Sequence, residues 1–255
     1  MDFIKFLGTA GARFAVIRQV RRSGGIWVCL DDTNVLIDPG PGSLVRCLGS
    51  RPALHPTTLD GIFLSHRHID HSNDINIMIE AMTDGGRSKQ GIVFAPSDAL
   101  DSDPVILYHF RSHVEKIIVI REDMRYQFQS IRLTTPIQHV HDVETYGCNL
   151  IGSKHTISYI TDTKYFEELP TFYHGDILIL NVVLQNSKSY INHLSIEDTT
   201  TIIQRCRPKR CFLTHFGVPM IKAKPWEIAA TITEKTGIPT IAASDDMNVD
   251  LSTNE

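Results

Sequence analysis

The chain contains 255 residues, of which 42% are hydrophobic and 21% are charged, proportions that are ordinary for a folded globular protein. The 25 lysines and arginines are outnumbered by 29 aspartates and glutamates, so the net charge is −4. The chain therefore lacks the broad positive field with which proteins attract nucleic acid, and this balance argues against a nucleic-acid partner.

The five cysteines are scattered and include no CxxC pair, which predicts neither a disulfide framework nor a zinc knuckle. Free thiols are typical of a reducing compartment, so we expect a cytoplasmic protein. The opening segment MDFIKFLGTAG predicts a first strand rather than a secretory signal. No stretch reaches 18 apolar residues, so no membrane span is expected. Nothing in the sequence decides between a monomer and a homo-oligomer.

Short apolar runs bounded by turn residues recur along the whole chain and predict β-strands. In chain order the predicted strands cover residues 3–8, 26–30, 34–38, 59–65, 91–95, 115–120, 146–151, 155–161, 176–183, 210–215 and 239–243. The many successive strands, followed by strand–helix alternation near the end, favour an α/β protein built in layers.

Three helices are predicted, over residues 73 to about 82, 195–206 and 224–237. The second begins with Ser195 and Asp198, a pattern similar to a capping box, in which both side chains satisfy free backbone N–H groups. The third has Pro225 in its first turn and Gly237 just after its end, which is the expected asymmetry. No linker or repeat interrupts the chain, so residues 1–255 are predicted to form one domain.

The segment SHRHIDHS (65–72) places three histidines and an aspartate between positions 66 and 71. A metal site, a proton relay and a solvated loop are the competing interpretations. The segment follows an apolar strand and precedes a helix, and rigid scaffolds present functional groups at such strand ends. His66 and His68 project the same way in an extended chain, whereas Asp70 and His71 lie in the turn. Imidazole and carboxylate together favour zinc and also accommodate manganese or iron.

The motif HRHIDH (66–71) resembles the HxHxDH signature of the metallo-β-lactamase superfamily. Four further segments are similar to the other motifs of that family: NVLIDPGPG (34–42), QHVHDVETYG (138–147), YITDT (159–163) and FLTHFG (212–217). The resemblance implies an αββα sandwich, in which two mixed β-sheets are flanked by helices. It also implies that the aspartate ending NVLID supports the metal loop.

The same resemblance implies a centre for two divalent metal ions, zinc by default. Its first site would be formed by His66, His68 and His141, its second by Asp70, His71 and His215, and Asp162 would bridge the two ions. His139 competes with His141, but the family places its ligand six residues before a glycine, which selects His141 because Gly147 follows. A hydroxide held between the ions would attack the substrate, and Asp70 would accept its proton.

His193, in YINHLSIED, has two interpretations. It can be a histidine that caps or packs against the helix beginning near Ser195. Alternatively, its H-x-S context resembles that of the phosphodiesterase branches of the superfamily, in which such a histidine stabilises charge on the phosphate or protonates the leaving oxygen.

The spacing of the motifs narrows the substrate class. Only 21 residues separate His141 from Asp162, too few for the long arm of tRNA 3′-processing endonucleases, and Ile69 occupies the position of their motif glycine. Flavodiiron proteins are disfavoured because they have a glutamate at the position of His68, and persulfide dioxygenases because they hold a single iron and do not need the complete second site. We therefore expect a dinuclear hydrolase of a small phosphodiester, either linear or cyclic. A hydrolase of lactones, esters or thioesters, an armless tRNA endonuclease and a non-catalytic metal-binding relic are the alternatives. Residues 81–90 are expected to form a mobile loop near the site.

Overall fold

Fourteen β-strands lie in residues 1–252, the part of the chain that this computed structural model describes. Their bounds are β1 Phe3–Phe6, β2 Ile26–Leu30, β3 Thr33–Ile37, β4 Gly61–Phe63, β5 Ile92–Ala95, β6 Lys116–Val119, β7 Met124–Phe128, β8 Ile131–Thr135, β9 Cys148–Ile151, β10 Thr156–Ile160, β11 Ile177–Asn181, β12 Arg210–Thr214, β13 Thr240–Ala242 and β14 Met247–Asp250. Most are short runs of buried apolar residues, as the sequence predicts.

Eight α-helices connect these strands in the same part of the chain. They are α1 Ala12–Ile17, α2 Ser43–Gly49, α3 Ile69–Ser72, α4 Ile75–Met82, α5 Tyr108–Arg111, α6 Ile196–Cys206, α7 Val218–Lys222 and α8 Pro225–Thr236. The predicted signals at the helix ends are present: Ser195 and Asp198 form a capping box before α6, and Gly237 ends α8 in the left-handed conformation. None of the helices in residues 1–252 is long and apolar enough to cross a membrane.

The strands form two sheets of seven, in the orders β14-β1-β2-β3-β4-β5-β6 and β13-β12-β11-β10-β9-β8-β7. Each sheet is antiparallel on one side, whereas β3 to β6 and β10 to β13 are parallel. Parallel neighbours need crossover connections, which are usually helical. Here α4, α6 and α8 lie in such connections, and the carboxyl ends of the parallel strands meet at one edge of each sheet.

Three apolar layers hold the sheets and helices together. The central layer lies between the two sheets and contains fully buried rings, among them Phe6, Phe63 and Phe212. The second lies between the first sheet and its outer helices, with Met78 and Ile79 of α4. The third covers the outer face of the other sheet, with helices α6 and α8. The αββα sandwich expected from the resemblance is confirmed.

The largest difference from the sequence prediction is the hairpin of β7 and β8. In β8 (IRLTT) buried residues alternate with exposed or half-buried ones, and in β7 (MRYQF) half-buried residues alternate with exposed ones before the buried Phe128. Both strands therefore lack the continuous apolar run by which the other strands are recognised. Strand β14 is missed for the same reason. The predicted helix over 73–82 corresponds to α4, and the histidine-rich segment before it is itself helical from Ile69, as α3.

The expectation that the segment 81–90 lies near the site is wrong. The Gln90 side chain donates to the Thr57 carbonyl, and the Ile92 amide donates to the carbonyl of Asp60, the residue that precedes β4. This segment therefore lies at the amino ends of β4 and β5. The histidine-rich segment follows the carboxyl end of β4, at the opposite edge of the sheet.

The capping box predicts a measurable contribution to stability. Ser195→Ala removes the hydroxyl that accepts from the Asp198 amide, so the free energy of unfolding should fall by about 1 kcal/mol. Urea denaturation measures the change. Thr201→Ala is the control, because its exposed hydroxyl bonds only to a carbonyl within α6. An equal effect of both substitutions would contradict the assignment.

Candidate metal centre

The seven predicted ligands converge at one edge of the sandwich, where the parallel strands of both sheets end. The first sheet contributes His66, His68, Asp70 and His71, which follow β4. The second sheet contributes Asp162 after β10 and His215 directly after β12, and His141 precedes β9. Because the strand ends are fixed by pairing and burial, the side chains that follow them are brought together by the fold rather than by their own contacts.

The predicted first site is assembled. Candidate ligand atoms of His66, His68 and His141 all lie within 4.8 Å of one another. Nδ1 of His68 is 3.1 Å from Nε2 of His141, so two ring nitrogens face the same point. Such an arrangement of lone pairs suits a shared cation.

The predicted second site lies beside it. Asp70, His71 and His215 again form a group of ligand atoms within 4.8 Å, with Oδ2 of Asp70 at 3.4 Å from Nε2 of His215. Asp162 lies between the sites: it groups with His66 and His71, and its Oδ1 is 3.4 Å from Nδ1 of His215. This is the location expected of a bridging ligand.

Asp38 supports the histidine-rich segment from below, as the resemblance implies. Its Oδ1 accepts from the Ser65 amide at 2.7 Å, and its Oδ2 accepts from the hydroxyls of Ser65 (2.7 Å) and Tyr159 (2.8 Å). The same oxygen accepts from Nδ1 of His71 at 2.9 Å. The carboxylate therefore connects β3, β4 and β10 and fixes the His71 ring.

Two other histidines are fixed through the same ring nitrogen. Nδ1 of His66 is 2.9 Å from the Ser65 hydroxyl, and Nδ1 of His141 is 3.0 Å from the Asn192 carbonyl. A carbonyl only accepts, so the His141 Nδ1 carries the proton and Nε2 keeps its lone pair. Partners of this kind set the orientation and tautomer of metal-binding histidines.

The ring nitrogens that face the centre lack other partners. Among the described residues, Nε2 of His66 and of His71 and both ring nitrogens of His215 are buried without a hydrogen-bond partner. Buried polar atoms are almost always hydrogen-bonded. These unpaired nitrogens lie beside carboxylates, and the combination indicates a site for a cation to which the nitrogens would donate their lone pairs. The donor set of imidazoles and carboxylates fits two divalent ions.

The charges inside the cluster favour a bound cation. Burial by itself would raise the pKa of Asp162, but His215, His193 and His71 around it hold that pKa well below its usual range. Burial would lower the pKa of His71, yet the carboxylates of Asp38, Asp70 and Asp162 outweigh it and raise the pKa well above the usual range. Asp162 thus stays ionised and attracts positive charge, which a proton on His71 supplies when no metal ion is bound.

His139 lies outside the cluster. It is buried, and its Nε2 bonds to the Tyr173 hydroxyl at 2.8 Å. Burial lowers its pKa to about 3, so the ring is neutral at physiological pH. The geometry favours His141 as the ligand, and His139 is neither exposed nor aimed at the centre.

Two residues of the site have an unusual backbone conformation. Asp38 and His215 both adopt positive φ, at 50° and 58°, a conformation that is costly for residues other than glycine. A Cβ on Gly11 would overlap the His215 ring, and one on Gly40 would overlap the Asp70 carbonyl. The glycines of FLGTAG and DPGPG therefore let the chain approach the ligands closely.

His193 lies beside the cluster, and its side chain is 18% exposed. Its Nδ1 is 3.5 Å from Oδ2 of Asp162, and its ring lies 5.1 Å from that of His141, centroid to centroid. It also forms a potential ligand group with His141 and Asp162. The structure therefore places it against the centre rather than as a remote helix cap.

Comparison with known proteins agrees with this arrangement. The sequence model of the family described as β-lactamase superfamily domain matches residues 33–216, well over half of the chain. The chain belongs to the metallo-β-lactamase superfamily. A metallo-hydrolase fold with a cluster of histidines and aspartates implies divalent metal ions, and the superfamily and its members indicate a metal-dependent hydrolase.

Two curated relatives align with most of this chain. MJ1374, an uncharacterized protein of Methanocaldococcus jannaschii, is 29% identical over 97% of this chain and 94% of its own. "Probable metallo-hydrolase YhfI" of Bacillus subtilis is 26% identical over 73% of this chain and 78% of its own.

Solved structures show the same fold. The YhfI crystal structure superposes with a TM-score of 0.81 at 18% identity, covering 97% of this chain and 98% of YhfI. Human tRNase Z, short form, gives 0.73 at 18% identity, with 98% and 99% covered. A diphosphatase from the PhnP family gives 0.71 at 19% identity, with 98% of each chain covered. The fold is thus similar to that of the RNase Z-like branch.

Several supporting residues escape analysis of the sequence. The Asn181 side chain and the Asn192 carbonyl contact predicted ligands, and the Tyr159 hydroxyl contacts Asp38, but nothing in the sequence marks these three residues as supporting ones. Tyr159 and Asn181 read as ordinary members of apolar strands. The sequence offers one signal for Asn181: it is the single polar residue within the run ILILNVV.

Asp38→Asn tests the support beneath His71. An amide presents one acceptor oxygen instead of two and adds N–H groups against the Ser65, His71 and Tyr159 donors. The affinity for zinc should fall roughly 10- to 100-fold, as measured by competition with a chromogenic chelator.

Asp60→Asn is the matched control for this measurement. Asp60 likewise accepts from a backbone amide, that of Asn34, but lies at the opposite edge of the first sheet. Zinc affinity should be unchanged in this control. If Asp38→Asn also kept the affinity of the parent, Asp38 would have no part in holding the ligands.

Proposed function

We propose that this protein is a dinuclear metal-dependent phosphodiesterase that acts on a small phosphodiester. His66, His68 and His141 would hold one ion, Asp70, His71 and His215 the other, and Asp162 both. Zinc is the expected metal, because imidazole-rich sites with carboxylates favour it, although manganese and iron suit the same ligands. When bound, two such ions supply an activated water and Lewis-acid stabilisation of the phosphoryl oxygen.

The reaction requires two proton transfers. Attack by water forms a new P–O bond and breaks the bond to the leaving oxygen, giving a phosphomonoester and an alcohol. Asp70 is the more exposed of the two central carboxylates, at 15% against 3% for Asp162. It is the carboxylate that can accept the proton released by the attacking water.

His193 is the observation that carries the choice of a phosphodiester. Nδ1 faces Asp162, which leaves the second ring nitrogen for a substrate at the mouth of the cluster. There it can donate to a phosphoryl oxygen or to the leaving oxygen. Burial lowers its pKa. The neutral ring carries a single N–H, so His193 donates to the substrate in the tautomer that has this proton on the second nitrogen. The fold similarity to human tRNase Z and to a PhnP-family diphosphatase supports a phosphoester substrate.

The alternatives make different demands on the same site. Hydrolysis of a lactone, ester or thioester uses the same ligands but does not need a donor at the position of His193. In a tRNA endonuclease the segment between His141 and Asp162 would form an arm. Here it is occupied by the antiparallel pair β9 and β10, so this alternative would require another means of gripping RNA.

Metal content is the first test of the proposal. After chelation and reconstitution, elemental analysis should approach two equivalents of zinc per chain. His141→Ala should lower this stoichiometry, whereas His139→Gln, whose amide can still bond to Tyr173, should retain it. A maximum of one equivalent in the parent protein would contradict the dinuclear centre.

His193→Ala tests the substrate class. Both ions should stay bound, whereas kcat on a phosphodiester should fall roughly 100-fold or more, the usual scale for a general acid or an oxyanion donor. If His193 protonates the leaving oxygen, the loss should be smaller for nitrophenolate, which hardly needs a proton. Steady-state kinetics with good and poor leaving groups separates the two roles.

His174→Ala is the control, because His174 is exposed and outside the predicted ligand set. It should match the parent on every substrate. Unchanged activity of His193→Ala on phosphodiesters with poor leaving groups, together with faster hydrolysis of lactones or thioesters by the parent, would overturn the phosphodiesterase proposal while leaving the hydrolase fold intact.

A further inference from the structure

Asn181 is the last residue of β11, and it lies between the two strands that lead to Asp162 and His215. It pairs with Thr214 of β12, and its neighbour Leu180 pairs with Ile160 of β10. Only 3% of Asn181 is exposed. A buried amide within an apolar segment is costly unless its hydrogen bonds are satisfied. The hydrogen-bond partners of Asn181 therefore indicate its role.

The shortest contact of this amide is with the predicted bridging ligand. Nδ2 of Asn181 lies 2.9 Å from Oδ1 of Asp162, 3.2 Å from the Tyr159 hydroxyl and 3.4 Å from that of Thr161. An ionised carboxylate can only accept hydrogen bonds. The nitrogen of the amide, rather than its oxygen, must therefore face Asp162.

The two oxygens of Asp162 consequently have different contacts. Oδ1 accepts from Asn181 and lies 3.4 Å from Nδ1 of His215, whereas Oδ2 lies 3.5 Å from Nε2 of His71, the other predicted histidine of the second site. The same Oδ2 lies 3.5 Å from Nδ1 of His193, on the side of His141. Asp162 also shares potential ligand groups with His66 and with His141, so Oδ2 lies where one oxygen could contact two ions about 3.5–4 Å apart.

We propose that Asn181 is a positioning residue that fixes the rotation of the Asp162 carboxylate, so that Oδ2 is presented to both metal ions. The inference rests on the dinuclear centre of the proposed function, but not on the substrate. Without the amide, the carboxylate is free to turn about its side-chain bonds, and the two ions lose their common ligand.

A second set of hydrogen bonds connects Asn181 with His71, a ligand of the predicted second site. The Tyr159 hydroxyl accepts from Asn181 and donates to Asp38, which in turn accepts from His71. One continuous chain of hydrogen bonds therefore runs from the bridging carboxylate to a ligand of the second site. Because each member fixes the next, the chain holds Asp162 and His71 in a constant relation.

Asn149 provides a matched control for the loss of a buried amide. It lies on β9 of the same sheet and is 8% exposed. Its Nδ2 donates to the Thr134 hydroxyl and the Phe172 carbonyl, and its oxygen accepts from Ser158. Replacing either asparagine by leucine removes a satisfied amide from the same sheet, but only Asn181 contacts a predicted ligand.

The test compares Asn181→Leu and Asn149→Leu with the parent protein in metal titrations. Zinc binding is measured by competition with a chromogenic chelator. Magnetic coupling between two Mn²⁺ ions is followed by electron paramagnetic resonance. Asn181→Leu should weaken the second equivalent of zinc roughly 10- to 100-fold, the usual effect of losing a partner of a metal ligand. It should also replace the coupled Mn²⁺ spectrum by that of isolated ions.

Asn149→Leu should lower the melting temperature of the metal-free protein while leaving both metal readouts unchanged. If Asn181→Leu does not fold, Asn181→Ala is titrated in its place. Parent-like zinc affinity and coupling in a folded Asn181 variant would overturn the positioning role. A parent protein that binds fewer than two ions would instead refute the dinuclear centre itself, so the two failures are distinguishable.

Discussion

The buried carboxylate of Asp38 is the interaction on which the rest of the site depends. Its two oxygens accept from Ser65, His71 and Tyr159, which belong to different sheets of the sandwich. Burying a carboxylate is expensive unless several donors replace the lost water. Here the donors are the groups that must be fixed for metal binding. The same bonds therefore stabilise the junction of the two sheets and orient the His71 ring.

The centre is divided between the two halves of the fold. The first sheet holds the four groups between His66 and His71, and the second holds Asp162 and His215. Neither sheet alone completes a site, so the ligands converge only when the apolar faces of both sheets pack together. Metal binding is thus linked to folding. The central core, with Phe6, Phe63 and Phe212, holds the two sheets together.

Local patterns predict part of this structure well. The apolar runs identify eleven of the fourteen strands, and the compact motif at 66–71 identifies one side of the centre, because its ligands are neighbours in sequence. The amphipathic hairpin of β7 and β8 is missed, since exposed residues interrupt the apolar positions of both strands. Asn181 is missed for a different reason. Its role depends on the register of β11 between β10 and β12, and pairing between distant strands leaves no periodicity at a single position.

The pair His139 and His141 shows why geometry decides what spacing alone does not. Both precede β9 by a few residues, and the sequence places them two positions apart. After the bridge between Gln138 and Tyr146, His139 turns inward to the Tyr173 hydroxyl. His141 instead directs Nδ1 to the Asn192 carbonyl and Nε2 to His68. Because Asn192 adjoins His193, that one carbonyl fixes a predicted ligand and the segment that carries the proposed proton donor. Which of these two histidines faces the metal centre is therefore decided by the groups to which their ring nitrogens bond.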